Sequence, residues 1–173
     1  MELCGKWFKV PKQAGKSADE ASAYVAKHAE AIRKGTPTKP PVRPYEVDSY
    51  RNLNKRAASH DGLQHDHIPS KAALIKAEEK RKGRRLTAAE KKRVANEGTT
   101  VAIPDDLHAK ARTTGSRNTP DQIAEDASDL ASAAEKDLEH HAAELRRRGM
   151  PEEEIQSILE NVRAHNRTRG IGQ

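Results

Sequence analysis

Cysteine and large aromatic side chains are nearly missing from this chain. Cys4 is the sole cysteine, which excludes an intrachain disulfide framework and a thiolate zinc cluster. Trp7 and Phe8 are the only Trp and Phe, and aromatic content is 3%. A core must therefore be assembled from Ala, Leu, Ile and Val, with Trp7 and Phe8 as a local packing anchor. So few aromatics also leave little for unpaired bases to stack on. No apolar run approaches the roughly 20 residues that span a bilayer. The opening Met1-Glu2-Leu3-Cys4-Gly5-Lys6 lacks the apolar centre of a signal peptide, so any export is expected to use a route without a cleavable signal.

Charge is what the chain has in quantity. Charged residues make up 34% of the 173 positions, equal to the apolar share, and the net charge is +6. Such a balance predicts a thin, mostly helical domain with a basic surface suited to a polyanion or an acidic protein. With 173 residues there is room for one domain and an extra helical layer.

Punctuation along the chain divides it. Ser17 and Glu20 form a capping box for a helix over about 18–34, which Gly35 ends. A Pro-rich connector, Thr36 to Pro44, must run extended. Residues 45–60 are polar and basic. Leu63 to Ile68 reads as a strand ended by Pro69, and Ser70 caps a helix from Lys71 to Lys82 that stops at Gly83. Thr87 and Glu90 form a second capping box, for a helix ending near Gly98. Thr99 to Ile103 is β-rich and closed by Pro104. Asp105 or Asp106 then caps a short helix carrying His108, Lys110 and Arg112. From Thr119-Pro120 to Gly149, apolar residues recur every three or four positions (Ile123, Ala127, Leu130, Ala134, Leu138, Leu145), with His141 on the same stripe. One long amphipathic helix is expected there. Pro151 opens another, with Ile155, Ile158, Leu159 and Val162 on one face, so the two form an αα-hairpin.

Two pieces of this layout carry chemistry. Gln64-His65-Asp66-His67-Ile68-Pro69-Ser70 ends a strand, and Leu107-His108-Ala109-Lys110-Ala111-Arg112 opens a helix some forty residues later. Phosphodiester hydrolysis needs a base for water, a cation to stabilise charge on phosphate and leaving oxygen, and a grip on the backbone. Neutral His suits the base, while Asp and His suit a divalent ion with open positions. Adjacent Asp66 and His67 point to opposite sides of a strand, so one can hold a metal while the other works on water. Each residue alone has a bland reading as an ordinary surface group; order and spacing together point to a site. His28, His60 and the His140-His141 pair read as packing or surface residues.

On these motifs the chain resembles the HNH-type (ββα-metal) endonucleases, in particular the nuclease tips of bacterial polymorphic toxins, of the Rhs and type VI secretion kinds. The resemblance covers residues 63–118, about a third of the chain. It implies an α+β, mostly helical protein: a small ββα-metal nuclease core over 45–118 with a basic helical insert, an N-terminal arm, helix and connector over 1–44, and a C-terminal helical hairpin over 119–173. It implies Asp66 and His108 as metal ligands and His67 as general base. Where the family places Asn, this chain has Thr99, so the orienting role falls to Thr99 or to Asn96. Arg112 stands where some members carry a further ligand; as a guanidinium it is assigned to the scissile phosphate or leaving group. One Asp and one His favour Mg²⁺, and His65 as an added ligand would move the preference to Zn²⁺ or Ni²⁺. Arg51, Lys55, Arg56, Lys71, Lys110 and Arg117 are the candidate DNA-backbone contacts, with duplex DNA favoured over RNA. The resemblance further implies an antibacterial DNase made in the bacterial cytoplasm, delivered by a secretion apparatus into a target cell, often as the tip of a larger carrier, and neutralised by a cognate immunity protein. Two other readings stand beside it: a non-catalytic nucleic-acid-binding protein, and an adaptor that binds a partner through its C-terminal hairpin.

Overall fold

Three short strands organise the molecule. In the computed structural model, which describes residues 40–172, β1 (Val47–Ser49), β2 (Leu63–His67) and β3 (Thr99–Pro104) form an antiparallel sheet of order β1-β3-β2. The expectations placed on residues 1–39, namely the Trp7 and Phe8 anchor, the first capping box and its helix, and the start of the connector, lie outside the described residues. Central β3 is the β-branched Thr-Thr-Val-Ala-Ile run and is buried along almost its whole length, as a strand paired on both edges should be. Its pairing sets which way β2 faces. Asp66 stands opposite Val101 and His67 opposite Thr100.

The two faces of the sheet are covered differently. Val101 and Ile103 share one core with Ile68 after β2, with Leu107 after β3, and with Leu138, Leu145, Ile155, Leu159 and Val162 from the last two helices. Ala102, on the other face, packs with Leu53 and Val42. The chain is thus an α+β fold, rich in helix around a small sheet. Segments 45–118 and 119–173 contribute to the same core, and the described residues fall within one compact unit.

Helices α1 (Tyr50–Asn54), α2 (Lys71–Lys82), α3 (Ala88–Glu97), α4 (Asp105–His108), α5 (Pro120–Asp126), α6 (Leu130–Arg147) and α7 (Glu152–Arg167) surround the sheet. Several start where their caps require. Ser70 accepts from the Ala73 amide, and Gly83 closes α2 in the left-handed conformation. At α3 the Thr87–Glu90 capping box is complete, and Thr119 caps α5 with Pro120 in its first turn. Two expectations on helices are corrected. Neither Asp105 nor Asp106 caps α4: Pro104 holds the cap position without a side-chain bond, and both Asp residues lie in the first turn. The single long helix from Thr119 to Gly149 is two helices. Asp129, with extended backbone, caps α6 by accepting from the Ser132 amide, while the Ser128 hydroxyl donates to the Glu125 carbonyl. These local bonds compete with helix continuation, and the apolar period running through both segments hid the break. The sequence also gave no sign of β1 and α1, which are three and five residues long.

Candidate active site

Because β2 is an edge strand, side chains from both of its faces reach one opening. A cleft of about 810 Å³ lies against it, lined by His65, Asp66 and His67 from β2, Lys71 from α2, Lys92 and Asn96 from α3, and His108 from α4. The structure therefore brings together Asp66, His67, His108, His65, Asn96 and Lys71. Tyr50, Lys92, His60 and Asn118 also line this opening.

His67 sits on the α1 and α3 side of the sheet. Its ring stacks on Tyr50 with centroids 5.0 Å apart and planes 22° apart. Its Nε2 lies 2.9 Å from the Ala95 carbonyl oxygen near the end of α3. A carbonyl only accepts, so Nε2 carries the hydrogen and Nδ1 of the neutral ring keeps its lone pair. Burial lowers the His67 pKa below the ordinary imidazole value, against the raising effect of the Ala95 bond. The ring is thus held neutral with one nitrogen available to accept a proton. Gly98 makes room for it: a Cβ there would stand 2.9 Å from His67 Cδ2 and 2.9 Å from Leu74 Cδ1.

Asp66 points to the other side, toward α4 and α6, as strand alternation requires. Its Oδ1 lies 3.7 Å from Nε2 of His108. Its Oδ2 accepts from Nε2 of His141, 2.9 Å away on α6. Sequence reading took His141 as packing or surface. The signal for it was its place on the apolar stripe of α6, where a buried polar side chain needs a partner.

Asp66 and His108 form a two-donor set, one carboxylate and one imidazole. Among the described residues no group of three or more His, Cys, Asp or Glu is arranged to hold a metal ion. Two donors at this separation fit a hard divalent ion that keeps water and substrate oxygens in its remaining positions. His65 does not join them. It lies on the His67 face, edge-on to Tyr50 at 6.0 Å between centroids.

Other sequence-derived residues are engaged elsewhere. Arg112 does not line the cleft. It is gripped by Asp126 through a two-pronged bond (3.2 and 2.8 Å) and by Asp137 at 2.8 Å. This buried clamp ties the segment after α4 to α5 and α6. Burial pushes the Asp137 carboxyl up to about 6 despite Arg112, with Asp66 and Asp126 adding repulsion. The Thr99 hydroxyl meets Nδ1 of His165 on α7 at 2.9 Å, away from His67. Its contribution to the site is its backbone carbonyl, which accepts from the Ile68 amide at 3.0 Å and fixes the turn after His67. Of the basic candidates, Arg117 donates to the Ala111 and Ala109 carbonyls, and Arg56 bonds Glu46 and the Pro40 carbonyl. Arg51 faces Glu97 at 3.7 Å and Lys110 faces Glu144 at 3.5 Å, while Lys55 is exposed. Lys71 and Lys92 line the cleft.

In comparison with known proteins, the chain is 35% identical over 172 residues, 98% of its length, to Deoxyribonuclease CdiA of Dickeya dadantii (strain 3937). It spans 5% of that protein's length. No protein-family model matches the chain, and no solved structure matches it.

Proposed function

We propose that this chain is an HNH-type, metal-dependent endonuclease that hydrolyses DNA phosphodiester bonds without strong sequence preference. The observation that carries this reading is His67: a cleft-lining imidazole, neutral by burial, with its tautomer fixed by the Ala95 carbonyl. Asp66 and His108 are the residues that would hold the metal, with Mg²⁺ the first choice and Zn²⁺ or Ni²⁺ the alternatives. A bound divalent ion supplies charge stabilisation at the phosphate and leaving oxygen. The rest falls to the chain. Lys71 and Lys92 hold the phosphate backbone electrostatically, which sets register without reading bases. His67 Nδ1 takes the proton from a water whose oxygen attacks phosphorus. The bond from phosphorus to the leaving sugar oxygen breaks, and that oxygen is protonated from solvent.

The named relative supports DNA as the substrate and supports a place for such a unit within a much longer protein. We assign the chain the role of an antibacterial toxin delivered by a secretion apparatus and neutralised by a cognate immunity protein, on the resemblance set out above. The formal charge of +6 favours an acidic partner for that purpose. No helix among the described residues is long and apolar enough to cross a membrane.

Incubation of the full chain with supercoiled plasmid and with single-stranded RNA tests this, with Mg²⁺, Mn²⁺, Zn²⁺ or Ni²⁺ and with EDTA. Cleavage of plasmid that EDTA abolishes, with little cleavage of RNA, is expected. Retained binding with no cleavage in any metal would return the protein to the non-catalytic nucleic-acid-binding class.

A further inference from the structure

We propose that His141 is the positioning residue for the metal-binding carboxylate of Asp66, which makes α6 a structural part of the metal site. This rests on the metal-dependent nuclease reading.

His141 lies on the buried face of α6 between Leu138, Ala142 and Leu145, all of them in the main core. An imidazole in such surroundings is costly unless it bonds. Its Nδ1 has no hydrogen-bond partner. Its Nε2 donates to Asp66 Oδ2 at 2.9 Å. The ring is therefore placed for one polar contact, and that contact is the carboxylate.

The geometry gives the contact a purpose. Asp66 has two oxygens with different surroundings. Oδ2 is occupied by His141, and Oδ1 faces His108 Nε2 at 3.7 Å. An aspartate on an edge strand has two side-chain torsions to settle. A donor fixed in a packed helix settles them, turning Oδ1 toward His108 and leaving it free of any other proton donor among the described residues. The acidic neighbours of His141 on its own helix have basic partners of their own. Asp137, one turn earlier on the same face, is held by Arg112 at 2.8 Å, and Glu144 is bonded by Arg147. Groups that orient a metal ligand in this way commonly contribute about 10–100-fold to metal affinity.

The test uses the full chain and the metal alone. Calorimetric titrations with Mg²⁺, Mn²⁺ and Ni²⁺ are run on wild type, His141→Ala and His141→Gln, with circular dichroism and Tm confirming the fold. A glutamine amide nitrogen can donate to Oδ2 in place of the imidazole. His141→Ala is expected to weaken metal binding by about 10–100-fold, and His141→Gln to recover most of it. The metal concentration for half-maximal plasmid cleavage should shift by the same factor. Unchanged metal affinity in folded His141→Ala, while wild type binds and cleaves, would overturn the proposal and leave the nuclease reading intact. So would a folded His141→Gln that is as impaired as His141→Ala. A wild type that neither takes up metal nor cleaves would overturn the nuclease reading itself, and this proposal with it.

Discussion

At the scale of single residues, the site depends on how His67 is enclosed. Tyr50 covers one face of the ring, the Ala95 carbonyl fixes Nε2, and Gly98 leaves space beside Cδ2. Gly98→Ala should push the ring and Leu74 aside, at a cost of about 1–3 kcal/mol in overpacking. Its effect on plasmid cleavage should be larger than that stability loss alone produces, because the proposed proton acceptor moves. Urea denaturation and cleavage rates on the same preparation check both parts, and cleavage at the wild-type rate would show that ring placement does not matter. Lys71→Ala and Lys92→Ala should each weaken DNA binding across sequences and each reduce the salt slope of binding by about 1, read from titrations at several salt concentrations. The residues of the proposed site were legible in part. Asp66, His67 and His108 stand out because an Asp-His pair ahead of Ile-Pro and a later helical His are unusual in order and spacing. His141 was hidden because a histidine in an amphipathic helix looks the same in sequence whether it fills space or meets a carboxylate 75 positions away.

At the scale of elements, capped helices were the most legible features, since Ser70, Gly83, Thr87 with Glu90, and Thr119 with Pro120 act locally. The break between α5 and α6 was not, because the apolar period runs on through it and masks the local bonds of Ser128 and Asp129. The Arg112 assignment shows the same limit: its guanidinium suits a phosphate, but two buried carboxylates from α5 and α6 hold it first. Arg112→Met should remove the charge that both carboxylates face and destabilise the fold by about 3–5 kcal/mol, measured by chemical denaturation. If cleavage per folded molecule falls to background while stability is unchanged, Arg112 acts on the substrate after all.

The Asp137 partner in that clamp also gives a pH signature. Its folded pKa is raised from 3.8 to about 6, so between those values the folded state holds more proton at this site than the unfolded chain. Its contribution to stability is therefore fully present below about pH 4 and is lost as pH rises through 6, on the order of 3 kcal/mol in all. Asp137→Asn, which cannot ionise, should gain stability relative to wild type as pH rises from 4 to 7. Denaturation curves at several pH values check this, and a constant difference between the two proteins would contradict it.

Across the whole molecule, the strand-insert-strand-helix order followed from turn residues and periodicity, and the α+β class from the resemblance those motifs carry. The sharing of one core between residues 45–118 and the last helices did not, because long-range packing leaves no local mark. The site borrows from that packing: Asp66 is held by α6, and the sheet that carries it is backed by α6 and α7. The account stands on His67 as the proton acceptor for DNA cleavage. The most direct test compares wild type and His67→Ala, both confirmed folded by circular dichroism, on supercoiled plasmid with Mg²⁺. Wild type should convert the plasmid to nicked or linear form and His67→Ala should leave it supercoiled at the same protein concentration. Cleavage by His67→Ala at the wild-type rate would contradict the account.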